Sequence, residues 1–445
     1  MSELVFRGGT ILTIDAQHHV LAGDVAIVDG AIVQVGGDYA AQRGDYEIVD
    51  CSGCVIMPVL VQSHVHLCQT LARGRADDLE LLDWLRQIVW PYEAALDEKA
   101  MGAAARLACA ELLLGGTTAV LDMGSVHHTD AIFAAVRDAG LRATIGKAMM
   151  DAPDPQIPPG LRESTRASLD ESQALAARWH GLANGRLRYA YAPRFLLSCT
   201  DELLRGVAEL SRGSEHRVHT HASENKGEIE LVRARTGRDN IASLDALGLT
   251  GDHVGVAHCV HVGDGERSLL ARTGTHVLHC PSSNLKLASG IAPVPELLAA
   301  GVKVSLGADG APCNNNLDAF VELRLAALIH KPRVGASGMT ALAALELATL
   351  GGARALGLES RIGSLEVGKR ADLIVVDARA PHATPAPDPI STIVYAAQSR
   401  DVRDVIVDGR VLVRGRRLTS LTGLDADQVL ADARAQAARV ASRAG

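Results

Sequence analysis

Two histidines one residue apart, His64 and His66, stand at the end of an extended apolar stretch that begins at Ile56. Period-two strand geometry puts both imidazoles on one face, within reach of a single ion. An isolated His-x-His carries little weight, because two polar residues at a strand end are ordinary. Here four more short apolar runs end on groups of the same kind. His221 closes Val218-His219-Thr220-His221, and His258 closes Val254-Gly255-Val256-Ala257-His258. His279 closes Val277-Leu278-His279, and Asp309 follows Val304-Ser305-Leu306-Gly307-Ala308. Imidazoles and a carboxylate converging from successive strand ends suit Zn²⁺ or Fe²⁺ with one coordination position left open for water. Such an ion brings the pKa of a bound water from about 16 to about 7, which is the reason hydrolytic chemistry uses it.

These groups need a scaffold that gathers strand ends at one mouth. From about residue 58 to 356, short apolar strands alternate with helical stretches: Thr118 to Asp122, Ala143 to Met149, Arg188 to Ala192, His216 to His221, Val254 to His258, His276 to His279 and Val302 to Gly307. That alternation predicts a parallel α/β architecture, a distorted (β/α)8 TIM barrel, with its chemistry just after the strands. The chain ends read differently. Thr10 to Ile14, Val25 to Val28 and Ile32 to Val35, with Asp29-Gly30 as a hairpin turn, predict an antiparallel sheet. Ala371 to Asp377, Val402 to Val407 and Val411 to Val413, with Asp408-Gly409, give the same signals at the far end. The expected organisation is a small β-sandwich from both ends (1–57 and 361–423), the barrel between them (58–360), and an Ala-rich C-terminal helix (424–445).

The 445 residues are 47% hydrophobic and 22% charged, which favours an ordered protein with a large core. The formal net charge of −8 and the lack of any Lys/Arg block argue against nucleic acid or an anionic membrane surface as a partner. A small molecule is the expected ligand. The start of the sequence alternates apolar and polar residues and no 18-residue apolar run follows, so a cytoplasmic location is expected. The eight cysteines lack a secreted-type spacing, and reduced thiols are expected. Cys51-x-x-Cys54 has no second pair or redox context beside it.

At the strand-end residues the chain resembles the amidohydrolase superfamily, in the aminohydrolase branch that includes guanine deaminases, S-adenosylhomocysteine/methylthioadenosine deaminases and triazine hydrolases. The likeness spans essentially the whole chain. It implies that His64, His66, His221 and Asp309 hold one divalent metal ion per subunit, Zn²⁺ by expectation with Fe²⁺ as the alternative. His221-Ala222-Ser223-Glu224 resembles the family's His-x-x-Glu, which makes Glu224 the general acid/base. His258 matches the histidine that orients the attacking water, and Asp309 would hydrogen-bond that water while ligating. His279, in His279-Cys280-Pro281-Ser282-Ser283-Asn284, matches either a supporting site histidine or a structural one. Binuclear members carry a lysine at the end of the fourth strand. Here that position reads Pro193-Arg194-Phe195, which favours the one-metal branch; Lys147 lies one strand earlier.

The pocket residues point two ways. Gln69, Arg194 and Phe195 are similar to the residues that hold the purine in guanine deaminases, and a guanidinium suits an acceptor-only O6/N7 edge. Trp84, Glu93 and the Asn314-containing run Asp309-Gly310-Ala311-Pro312-Cys313-Asn314-Asn315 resemble adenosine-type deaminases, where the Trp packs on the ligand and the Glu takes ribose hydroxyls. Arg194 stands where adenosine-type members often have histidine, and Val59 where the family usually has glycine. Lys147 and Arg162 are candidates for a substrate carboxylate, or ordinary loop charges. The expected activity is hydrolytic deamination of an amino-substituted N-heterocycle, a guanine-like or 5′-substituted adenosine-like purine, in a homo-oligomer. An s-triazine or pterin amino- or chlorohydrolase is the alternative. A catalytically dead scaffold would have lost ligands, and all six ligand and acid/base residues are present.

Overall fold

The computed structural model describes residues 3–41 and 46–444. Eight parallel strands follow one another around a barrel: Leu60–Val65, Thr117–Asp122, Arg142–Met149, Leu187–Pro193, Arg217–Ala222, Val254–His258, His276–His279 and Lys303–Leu306. Each sits beside its sequence neighbour, with helices between them such as Glu98–Leu114 and Asp201–Ser211. Thr117–Asp122 and Arg142–Met149 are buried along their whole length, as strands covered on both faces must be.

The barrel closes on the residues singled out above. The eighth strand meets the first through a single bridge, Val65 with Asp309, in which the Asp309 amide donates to the His64 carbonyl at 3.0 Å. Ser63 Oγ donates to the Leu306 carbonyl at 2.9 Å. Gly307 permits this approach, since a Cβ there would sit 2.5 Å from the His64 carbonyl oxygen.

Strands from both chain ends form one nine-stranded mixed sheet. Its hinge is Cys54–Pro58, which pairs in parallel with Glu3–Leu12 and antiparallel with Leu373–Asp377. The expected sandwich is thus a single hydrogen-bonded sheet, whose halves share a core of Phe6, Ile27, Ile56, Leu373 and Ile406. A bridge from Ala31 to Arg370 brings its far edge back. Both expected hairpin turns form, with φ of 51° and 77° at Asp29-Gly30 and 54° and 75° at Asp408-Gly409. The first strand begins at Glu3, earlier than its apolar pattern predicts, because Gly8 and Gly9 interrupt the alternation at a register shift between Phe6 and Gly9.

The sheet is tied to the barrel by a buried ion pair. Arg142, at the start of the third barrel strand, donates from Nε and Nη2 to the two carboxylate oxygens of Asp372, both at 2.9 Å. The C-terminal helix Ala426–Ala444 buries Val429, Ala433 and Val440. No described helix is long and apolar enough to cross a membrane, and all eight cysteines are free and buried.

Over the barrel mouth lies a helical segment, Leu81–Trp84, a π-helical turn Leu85–Val89, and Trp90–Ala94. It forms an apolar cluster of its own with Met123, Met150, Phe195 and Leu287.

Candidate active site

The first barrel strand delivers His64 and the residue after it, His66, and the fifth delivers His221. Alternation along each strand aims these side chains inward, toward Asp309 on the closing bridge. His64 Nε2 and His66 Nε2 each lie 3.3 Å from Asp309 Oδ1, and His66 Nε2 lies 3.3 Å from His221 Nε2. Tetrahedral ligands at about 2.0–2.1 Å from an ion are separated by about 3.3 Å, so the spacing is that of a coordination shell. His64 Nε2 is fully buried and has no hydrogen-bond partner. Burial, then neighbouring imidazoles, holds His221 well below the usual histidine range; burial does the same at His66. Both are therefore neutral, the form that donates a lone pair. Burial opposes ionisation of Asp309, yet His64 and His66 hold its carboxyl well below the usual range. Three imidazoles and a carboxylate fit one divalent ion.

Partners outside the set orient it. His221 Nδ1 bonds the Arg194 carbonyl at 2.6 Å, and Ser283 Oγ donates to Asp309 Oδ2 at 2.7 Å. His64 Nδ1 lies 2.7 Å from His219 Nε2. Ring orientation by such contacts is common in metal sites. His258 and Asp309 both have positive φ, 75° and 63°, at the ends of their strands, where histidine and aspartate tolerate it better than bulkier residues.

Glu224 and His258 face the same point. His258 Nε2 is 3.4 Å from Glu224 Oε2 and 4.0 Å from Asp309 Oδ2. His258 Nδ1 bonds Asn284 Oδ1 at 2.9 Å, and burial lowers its pKa to about 4. Burial first, and Asp309 second, raises Glu224 well above the usual carboxyl range. A carboxyl held in reserve as a proton carrier beside a neutral imidazole is the equipment of general acid/base catalysis. Glu228 caps the backbone here, accepting from the Glu224 amide at 2.9 Å, with Asn240 donating to its other oxygen.

The cavity above these groups is walled by Leu81, Trp84, Leu85, Phe195 and Leu287, with Arg194 as its cation. Trp84, Arg194 and Phe195 thus reach the cavity as the sequence predicts. Glu93 does not stand free: Arg194 donates to its two oxygens at 2.5 and 3.1 Å, and Gln69 Nε2 donates to Oε1 at 2.7 Å. The three residues come together as one buried network, with Gln69 behind Arg194. Asn314 does not line the cavity; its amide donates to the Ala308 carbonyl and to Glu322 Oε1, both at 2.8 Å. His279 also lies off the cavity wall, buried with its ring 5.8 Å from that of His330. Lys147 is committed to Glu163 at 2.6 Å and the Val126 carbonyl at 2.5 Å, and Arg162 to the Ile157 and Pro155 carbonyls. Neither reaches the cavity.

Sequence reading missed His219, Ser283, Asn284 and Glu228. Ser283 and Asn284 belong to the run His279 to Asn284, and Glu228 follows Glu224 by four residues, in the first turn of the helix Lys226–Thr236, so proximity was a usable signal for these. His219 shares the inward face of its strand with His221, and alternation alone marks it.

A parallel barrel with inward histidines and an aspartate at its carboxyl mouth is a metal-dependent hydrolase scaffold. Residues 55–412 match the model of the Amidohydrolase family, and the chain belongs to that family. It is 41% identical over 428 residues to a 5-methylthioadenosine/S-adenosylhomocysteine deaminase from Syntrophobacter fumaroxidans, covering 94% of this chain and 95% of that one. It is 38% identical over 446 residues to a 5′-deoxyadenosine deaminase from Methanosarcina acetivorans, covering both chains completely at 100%. Among solved structures, an adenosine deaminase from Xanthomonas campestris with bound zinc superposes with a TM-score of 0.91 at 34% identity over 99% of both chains.

Proposed function

We propose that this protein is a metal-dependent hydrolytic deaminase that replaces the exocyclic amino group of a purine by oxygen. The convergence of Glu224, His258 and Asp309 on one point beside the His64, His66 and His221 nitrogens carries this reading. A divalent ion, zinc in this reading, would be held by His64, His66, His221 and Asp309 and would supply the Lewis acidity that makes water a nucleophile near neutral pH.

The chain's own residues do the rest. His258 Nε2, between Glu224 and Asp309, orients the incoming water toward the amidine carbon. Glu224 delivers a proton to the ring nitrogen next to that carbon and is reprotonated by the first proton of the attacking water; it then passes that proton to the departing ammonia and recovers its own from the same oxygen, which becomes the carbonyl. Trp84, Phe195 and Leu287 exclude bulk water and pack the flat ring.

For the substrate we propose a 5′-substituted adenosine, on the strength of relatives that align end to end. One observation favours a second reading. Arg194 is locked onto Glu93 in the cavity wall, which presents a donor to the ligand and leaves the Glu93 oxygens engaged, an arrangement suited to an oxo-purine base. Ammonia release from guanine, 8-oxoguanine, adenosine, methylthioadenosine, S-adenosylhomocysteine, pterins and melamine decides between them. No release from any purine by protein carrying one metal per chain would overturn the deaminase reading. We also propose a cytoplasmic homo-oligomer, tested by sedimentation of the purified protein and by fractionation of its source cells.

A further inference from the structure

The contact between His64 and His219 takes no part in the proton transfers above, yet both of its residues are completely buried. Their rings meet edge to face, centroids 4.9 Å apart and planes at 88°. The nitrogens, His64 Nδ1 and His219 Nε2, are 2.7 Å apart. Two imidazole nitrogens that close must share one proton, since two lone pairs would repel and two N–H groups would clash. As a ligand, His64 turns the lone pair of Nε2, which faces Asp309 Oδ1 at 3.3 Å, toward the ion position. The proton of His64 is therefore on Nδ1, and His219 Nε2 accepts it.

We propose that His219 is a positioning residue, a neutral imidazole acceptor that fixes the tautomer and ring angle of His64 and thereby sets the affinity of the site for its ion. The proposal rests on the reading of His64 as a ligand. Metal-binding histidines usually lean on a carboxylate or a backbone carbonyl. A histidine in that place orients the ligand without adding negative charge to a shell that already holds Asp309. Without an acceptor at 219, the His64 Nδ1 proton is buried unpaired, and the opposite tautomer, which turns N–H toward the ion, becomes competitive.

The test uses the full-length protein, stripped with chelator and titrated with Zn²⁺ against a chromophoric competitor. His219→Leu removes the acceptor at similar volume, and His219→Gln restores an acceptor oxygen near the Nε2 position. The expected result is a zinc affinity roughly 10- to 100-fold weaker in His219→Leu and within about threefold of the parent in His219→Gln, the range typical of such orienting partners. Melting of the metal-free proteins checks that both fold; if His219→Leu does not, His219→Met takes its place. Parent-like zinc affinity in His219→Leu would overturn the proposal, and so would equal losses in both variants, which would show that shape rather than the acceptor matters. Stoichiometric zinc in the parent and its loss in His66→Ala test the ligand reading separately; failure there removes both.

Discussion

At the scale of single residues, the acid/base group and the pocket cation make opposite kinds of contribution. In the proposed reaction Glu224 touches the reacting atoms, and burial favours its protonated form, so Glu224→Gln should lower kcat about 10²- to 10⁴-fold while bound metal, counted by elemental analysis, stays at the parent level. A matching loss of metal would mean that Glu224 supports the ion instead. Arg194 is bound to a buried carboxylate, so its removal is a stability change first. Arg194→Met leaves Glu93 with Gln69 alone and should cost about 3–5 kcal/mol, read from denaturant midpoints. An unchanged midpoint would show that the Glu93 network holds without its cation. Glu224, His258 and Asp309 were legible from sequence as a group because each lies at or just past a strand end. Glu93 was read as free to take a hydroxyl, and the structure gives it to Arg194, 101 residues away, a pairing that local pattern has no means to indicate.

At the scale of elements, barrel closure and metal binding use the same backbone. The eighth strand's backbone pairs with the first at Val65 and Asp309, and Gly307 lies against His64. Gly307→Ala would place a methyl 2.5 Å from the His64 carbonyl oxygen and 2.7 Å from its amide nitrogen. The strands must part, and zinc affinity and kcat should fall together. Gly263→Ala, where a Cβ meets nothing within 4 Å, is the control and should leave both unchanged. Equal behaviour of the two variants would refute the coupling. The loop below the mouth-covering helix is pinned in a similar way: Asn315 bonds Gly74 and Asp77, and Lys286 pairs with Asp77 at 2.5 Å. Of the two asparagines, Asn314 supports the strand end and Asn315 the loop.

For the whole molecule, the relevant terms are the seam between sheet and barrel and the buried histidines. Asp372→Asn removes the nearer of two charge partners of Arg142, which is fully buried and keeps Asp408 at 3.6 Å, and should cost up to about 3–5 kcal/mol in urea unfolding. The acid response follows from His276, pushed by burial down to about 3, and His330, pushed by burial down to about 4. Both fall below an unfolded value of about 6.5, so the unfolded chain binds more protons in acid. Their stabilisation is complete above about pH 6.5 and is lost progressively as pH falls toward 3–4. The melting temperature should drop between pH 7.5 and 5, and a His276→Asn/His330→Asn double variant should show a flatter profile. A profile as steep as the parent's would assign the acid response to other groups.

The sequence by itself determined the barrel, the two-ended sheet with its hairpin turns, and the residues that end the strands. Those features follow from periodicity and turn chemistry, which act over a few residues. Only the tertiary structure decided what those residues face. His64 meets His219 across 155 positions, Arg142 meets Asp372 across 230, and Asp309 joins His64 where the barrel shuts. Such pairings depend on closure and register, which are collective properties of all eight strands. The residues that gather at the barrel mouth were therefore readable from the chain, while the engagement of Glu93, the place of Asn314 and the partner of His64 emerged only when the strands came together around one point.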